Sequence, residues 1–448
     1  MFPPPRSRAR FYGRSTNYTK VAKDALLRRI ESGDDVATLE GEIAAMIGVK
    51  HAVAMPQARV GIYHVIRSLT RTKKKVILSP YTIHDVINMV ICAGATPVFA
   101  DIDRKTCNID TREVEQLIDA DTGAVMVTHL HGLACDIEGV AKVCRDRGVP
   151  LIEDTSQSFG ARVNGKRLGS FGTAGIFSFG MAKNVNCLYG GAVVTNDEAL
   201  AADLRREIAS YPLTDSSVLL KRAAFCLTGD ILTWPPIFGV STYWAFRYGY
   251  LHGVEQLNKR VRGEDAPAIK TEIPEAYLRR MTPMQARLLM PQLAEVDRLT
   301  GIRAGYAKIY DDGLAGLAEI ITPPLRSDGS HIYLNYAIQV DDRHALLRYL
   351  MTHGRDLTVQ HMGNNADYDC YAAWKRDCPN ARLTAKQVLL LPTYPGYGDA
   401  EVRRNVELIQ QYFRLQHGRV KPTQAARDAH RSIPGAGMKP APSTPGRN

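Results

Sequence analysis

The sequence predicts an α/β fold: a large domain built on a mostly parallel mixed sheet between helices, followed by a smaller α+β C-terminal domain. Three observations carry this. Short apolar, β-branched runs alternate with amphipathic segments over residues 75–195, the pattern of strands buried on both faces and joined by helical crossovers. The rhythm breaks over 205–265. After 274 a different pattern begins, and it continues to about residue 415.

In chain order, residues 1–20 are rich in Pro and Arg and are expected to form an irregular basic arm. A helical pattern follows over 21–47. The strand candidates are KVIL (75–78), PVFA (97–100), AVMVT (124–128), PLIE (150–153), GIFSF (175–179) and GAVVT (191–195). Helical candidates at 84–93, 111–118 and 136–147 lie between them. Ligands of such sheets sit at the carboxyl ends of the strands. The large domain is expected over 21–270, with 205–265 as an apolar insertion, and the small domain over 271–416. In the small domain a long helix from Thr282 to about Ala304 is interrupted near Pro291. The strand-like IYLNYAIQV follows, then helices at 343–353 and 399–415. Residues 417–448 end in PGAGMKPAPSTPGRN and are expected to be a disordered basic tail.

The 448 residues carry a formal charge of +11. Residues 1–30 hold eight basic and one acidic residue, and 417–448 hold six and one, so the ends carry +12 and the middle −1. A basic nucleic-acid face spread over the fold is therefore excluded, and no nucleic-acid partner is expected. None of the eight cysteines forms a C-x-x-C pair, which removes the spacing evidence for zinc or dithiol chemistry. The start has no apolar h-region, so reduced thiols and a cytoplasmic location are expected.

The most informative block runs from Leu151 to Asp197. A strand ends in Glu153-Asp154, Gln157 follows, a second strand ends at Ser178, Lys183 sits in a small-residue loop, and Gly190-Gly191 opens the next strand. An aldehyde cofactor with a pyridine ring and a phosphate needs this set. A lysine amine condenses with the aldehyde, a carboxylate keeps the ring nitrogen protonated, and a hydroxyl with backbone N–H groups holds the phosphate. His129 and His131, on one side of a strand, have no third ligand at useful spacing, so no metal is expected.

The block resembles the DegT/DnrJ family of pyridoxal-phosphate (PLP) sugar aminotransferases, which have the fold-type-I aminotransferase fold. The resemblance covers about residues 20–415 apart from 205–265. It implies that Asp154 partners the pyridine nitrogen, Gln157 lies against the ring, Ser178 binds phosphate and Lys183 forms the Schiff base. GATPVFADID (94–103), VTHLHG (127–132), Arg280-Met281-Thr282 with Gln285-Ala286, and LPTYPG (391–396) resemble further family motifs. Where the family has S-G-T at a helix N-terminus this chain has Gln57-Ala58-Arg59. The amides of Ala58 and Arg59 are expected to serve the phosphate, with the Arg59 side chain as a phosphate or carboxylate contact. The ring-stacking aromatic falls at Ile83, beside Tyr81 and His84. The asparagine that reaches the partner's phosphate falls at Leu278, for which Arg279 or Arg280 is expected to substitute. His331, Tyr333 and Asn335 fall where the family carries substrate-facing residues of the small domain.

The resemblance implies transfer of an amino group from L-glutamate to a keto sugar or nucleotide-linked keto sugar, through Lys183, in a homodimer. Two other readings stand beside it: a membrane-associated aminotransferase of a lipid-linked or unusual acceptor, and a non-catalytic PLP- or ligand-binding regulator. The first draws on 223–246, which carry one charge, Asp230, and two of the three tryptophans. Their longest uncharged run, Ile231–Phe246, covers ~24 Å as a helix, short of the ~30 Å hydrocarbon core, and Pro235-Pro236 would break it. A helical hairpin bent at the prolines is expected, either packed near the substrate entrance or resting at the inner face of the membrane.

Overall fold

The computed structural model describes residues 4–12, 15–254 and 267–418. Most of the predicted C-terminal tail, 419–448, and the end of the apolar insertion lie outside the described residues.

A seven-stranded sheet forms the centre, in the order 51–55, 191–195, 174–178, 151–154, 122–128, 75–78, 96–99. Strand Gly191–Thr195 runs antiparallel to both of its neighbours, and the other four pairings are parallel. Thr122–Thr128 is buried at every position, which is why its sequence is a continuous apolar run without alternation. Helices 58–69, 84–92, 111–117, 137–147 and 198–209 connect the strands. The first helix begins at Ser15, inside the segment expected as an irregular arm, and a second covers Asp35–Ile47.

The C-terminal part has its own apolar core around Tyr310, Ile338, Leu350 and Leu389. It is built on a small sheet of 336–339, 388–391 and 358–359, flanked by helices 296–314, 343–352 and 399–418. The predicted long helix is two helices, Pro283–Leu293 and Val296–Leu314, parted at Ala294-Glu295 and not at Pro291. The R-M-T-x-x-Q motif has a local cause. The Gln285 N–H donates to Thr282 Oγ1, and the Thr282 N–H donates to Gln285 Oε1, which closes a capping box. Gln285 Nε2 also donates to the Tyr189 carbonyl at 2.8 Å, tying this helix start to the loop that follows Lys183.

The apolar insertion forms helices Ser216–Leu232 and Pro235–Leu251, the second containing a π-helical turn at Phe238–Thr242. The prolines open the second helix, as their missing N–H allows. The pair is bent by 60°, which is a corner and not the reversal that the expected hairpin requires. Among the described residues, no single helix is long and apolar enough to cross a membrane.

Candidate active site

Glu153 and Asp154 end one strand, so their side chains leave on opposite faces. Glu153 is fully buried and accepts the N–H groups of Gly169, Phe171 and Gly172 at 2.7–2.8 Å, which shapes the 169–172 loop. Asp154 is also buried. It accepts the Ser156 N–H at 3.0 Å, and its charge acts on Lys183. Gln157 Oε1 accepts the His131 N–H at 2.8 Å, which joins it to the end of the neighbouring strand.

Ser178 closes the next strand and pairs with Gly191. A Cβ at Gly191 would lie 2.7 Å from the Ala58 nitrogen, so the absence of a side chain lets this strand meet the start of helix Ala58–Leu69. Gln57, the cap residue of that helix, makes no side-chain capping bond. An uncapped helix N-terminus thus stands beside the strand end that carries Ser178, a ready anion site. Lys183 lies in the loop between these strands. Burial lowers its pKa from the ordinary lysine value. The Asp154 carboxylate pulls it up and the Arg59 charge pushes it down.

Arg59 is held by two side-chain partners. Its guanidinium pairs with Asp85, donates to Tyr277 Oη at 2.9 Å and lies over the Tyr277 ring. Lys270 pairs with the same carboxylate. Burial alone would raise the Asp85 pKa, but the Lys270 bond and the Arg59 charge hold it below the usual carboxylate range. Ile83 is the residue before helix His84–Cys92 and packs, half-buried, on the large-domain core. The guanidinium of Arg279 bonds main-chain carbonyls of Glu275 and Leu278, its own local turn.

A buried polar group at the sheet's carboxyl edge brings together His129, His131, Tyr81 and His331, which the sequence offers only separately. The strand ends at Thr128, and His131 lies beyond it in a short turn at φ 57°, so it does not share a strand face with His129. His129 Nδ1 accepts the Cys135 N–H at 3.1 Å, while neither ring nitrogen of His131 has a hydrogen-bond partner among the described residues. The Tyr81 ring lies 6.5 Å from the His131 ring, and its hydroxyl is buried without a partner. His331 Nδ1 accepts the Tyr333 N–H and its Nε2 is unpartnered. Burial pushes the His131 pKa down to about 4, helped by the His361 charge, and that of His331 down to about 3. Both are neutral donors or acceptors at neutral pH. Tyr333 corrects an expectation: its side chain is buried in the small-domain core and its hydroxyl bonds the Arg326 main chain. Asn335 is half-buried, and its N–H reaches the His131 carbonyl at 3.5 Å.

The arm contributes a wall. Arg10, Phe11 and Tyr12 line a cleft of about 340 Å³ together with Lys183, Asn184, Arg303 and Tyr394. The cleft lining has three arginines (Arg10, Arg298, Arg303) beside Lys183 and no acid. Arg303 is buried, and burial lowers its pKa to about 10.

This is the layout of a PLP-dependent aminotransferase: a strand-end carboxylate and a lysine on one sheet edge, with an uncapped helix end beside them. The DegT/DnrJ/EryC1/StrS aminotransferase family model matches residues 15–220 and 245–410, and the chain belongs to that family of PLP-dependent enzymes. The Bacillus subtilis spore coat polysaccharide biosynthesis protein SpsC is 28% identical over 393 residues, covering 85% of this chain and 90% of the relative. Vibrio cholerae GDP-perosamine synthase is 26% identical over 389 residues, covering 85% and 91%. Among solved structures, Helicobacter pylori PseC, an aminotransferase of pseudoaminic acid biosynthesis, aligns with a TM-score of 0.71 at 20% identity, covering 92% of this chain and 99% of that one. The family match leaves out 221–244, the heart of the apolar insertion.

The residues present fit the cofactor. The uncapped amides at Ala58 and the Ser178 hydroxyl suit a phosphate, Asp154 suits a protonated ring nitrogen, and the unpartnered Tyr81 and His131 leave polar atoms free for a ligand.

Proposed function

We propose that this protein transfers an amino group from L-glutamate to a keto sugar, held as a nucleotide sugar, as a homodimer in the cytoplasm. The observation that carries the reading is the meeting of Asp154 and a lowered-pKa Lys183 at the sheet edge. Relatives named for perosamine and spore-coat polysaccharide synthesis support the acceptor class. The eight cysteines, all free, are in keeping with a reducing compartment.

When bound, PLP supplies an aldehyde that condenses with amines and a ring that takes up electron density. The chain's part is to hold it and to move protons. Lys183 Nζ would hold the cofactor through its aldehyde and would carry a proton on and off the reacting carbon. Burial shifts the balance of Lys183 toward the unprotonated amine that such a role needs. Asp154 retains a proton on the ring nitrogen, and Gln157 stands beside the ring. Ser178 Oγ with the amides of Ala58 and Arg59 orients the phosphate. Ile83 covers a ring face by apolar contact where the family stacks an aromatic. His331 and Asn335 face the substrate from the small domain, and the cationic cleft receives its negative charge.

Borohydride treatment of the holoenzyme, followed by peptide mapping, should place the cofactor on Lys183. L-glutamate should convert bound PLP to pyridoxamine phosphate in wild type and not in Lys183→Ala. A wild-type protein that binds PLP but leaves it unconverted would favour the non-catalytic reading.

A further inference from the structure

The bent helix pair 216–251 is apolar on more than its inward face. Its buried side holds Leu219, Ala223, Cys226 and Asp230 on the first helix and Phe238 and Tyr243 on the second. Away from that side, large apolar side chains stand in solvent. Val240 is 77% exposed, Tyr248 58%, and Phe225, Trp234 and Trp244 about half. A helix that is apolar all round is ordinarily covered on every side. The family match omits 221–244, so Phe225, Trp234, Val240 and Trp244 stand on an addition to the shared fold.

We infer that this face docks, without crossing, on an anionic lipid surface. Four features favour a bilayer over a second copy of the chain. Three of the four exposed aromatics are Trp or Tyr (Trp234, Trp244 and Tyr248, beside Phe225), the residues that settle at the headgroup level. Basic residues (Lys221, Arg222 and Arg247) border the face, and the one acid between Ser216 and Leu251, Asp230, is turned inward and buried. A twofold interface would set this basic, acid-free patch against itself, whereas anionic headgroups complement it. The 60° bend, with two segments of ~25 Å each, suits lying in the interface and falls short of a ~30 Å span. Docking would also bring the active-site loop to the lipid: Met181, two residues before Lys183, lines a groove of about 430 Å³ with Val218, Lys221, Arg222 and Phe225. The inference is independent of the transamination reading.

The test is flotation of the full chain with phosphatidylcholine vesicles and with vesicles that also contain phosphatidylglycerol. Wild type should float with the anionic vesicles only. Trp234→Ser, Val240→Ser and Trp244→Ser combined should lower the bound fraction about tenfold at an unchanged melting temperature. Lys221→Glu with Arg247→Glu should do the same and remove the salt dependence. If the triple variant fails to fold, Val240→Asp, at the most exposed position, should still weaken flotation severalfold. Wild type that stays unbound would overturn the inference. So would apolar variants that float like wild type, which would assign binding to the basic ends. A triple variant that loses oligomeric mass by light scattering while wild type ignores vesicles would assign the face to a second copy.

Discussion

Asp230 is the test of how the insertion is tied to the rest of the molecule. Its carboxylate accepts the N–H groups of Phe11 and Tyr12 at 2.9 and 3.0 Å and the Tyr18 hydroxyl at 2.7 Å, with Arg10 Nε 3.9 Å away. Asp230→Ala removes all of these at once and leaves two amides of the arm without an acceptor. Each orphaned buried group costs about 1–3 kcal/mol. The arm is near the chain end and can swing out to hydrate its amides, so the loss is capped at the cost of local opening, about 3 kcal/mol. The arm keeps its other anchor: Arg8 pairs with Asp356 at 2.8 Å and donates to the Leu357 carbonyl. Hydrogen exchange of the N-terminal peptide should therefore accelerate at Phe11 and Tyr12 by roughly 100-fold in Asp230→Ala, since 1.36 kcal/mol is a factor of ten. Tyr18→Phe, which removes one bond of about 1 kcal/mol, should give about fivefold. The large-domain sheet should exchange as in wild type. Unchanged protection at residues 11 and 12 in Asp230→Ala would refute the strap.

Acid should destabilise the protein early. His64, His131 and His331 have pKa values lowered by burial to about 4, 4 and 3. Between those values and 6.5 the unfolded chain binds protons that the folded one refuses, so stability is lost as pH falls below 6.5. The slope should reach about 1.4 kcal/mol per pH unit for each histidine. Urea unfolding from pH 7 to 5 measures it, and His64→Gln should reduce the slope by about one proton's worth; an equal slope would contradict the assignment. At the phosphate end, Arg59→Met should raise the PLP dissociation constant by only about tenfold, ~1.4 kcal/mol, because Asp85 and Tyr277 already hold the guanidinium. A loss of several orders of magnitude, measured by equilibrium titration, would mean that Arg59 bonds the phosphate directly.

The sheet was legible because its signal is local. KVIL and GAVVT are strands over the predicted residues, and the crossover helices differ from prediction by a residue or so at their ends. The ordered set Asp154, Gln157, Ser178, Lys183 can be proposed from the sequence because one stretch of chain supplies it. What escaped depends on contacts between distant segments, which leave no periodic trace. Arg59 reads as an anion contact until Tyr277, 218 residues away, is seen to hold it. His131 reads as a strand-end residue, yet its surroundings come from Tyr81 and from His331 of the small domain. Tyr333 carries a polar tip that looks available, but a neighbouring turn in the small domain occupies it. The arm reads as irregular from its prolines and arginines, and its order is imposed from 219 residues away by Asp230.

That single acid also explains why arm and insertion belong together. Asp230 lies in the buried stripe of an otherwise uncharged stretch, where an unpaired carboxylate would cost several kcal/mol. The N-terminal segment is what makes the position tolerable, since the Phe11 and Tyr12 amides and the Tyr18 hydroxyl supply the donors and Arg10 a nearby positive charge. The packing is equally specific: a Cβ at Gly229 would lie 2.4 Å from the Phe11 ring, and one at Gly239 would lie 2.8 Å from Pro4. Removing the insertion would therefore strip the arm of one of its two anchors, and removing the arm would leave a buried charge in the insertion. Because Arg10, Phe11 and Tyr12 also line the Lys183 cleft, the insertion reaches the reaction through the arm, although no cofactor residue lies within it. Deletion of 223–246 should accordingly spare PLP binding at Lys183 and yet open the cleft wall. Its effect should fall on the Michaelis constant for the acceptor more than on cofactor retention, and a deletion that leaves that constant unchanged would separate the arm from the substrate.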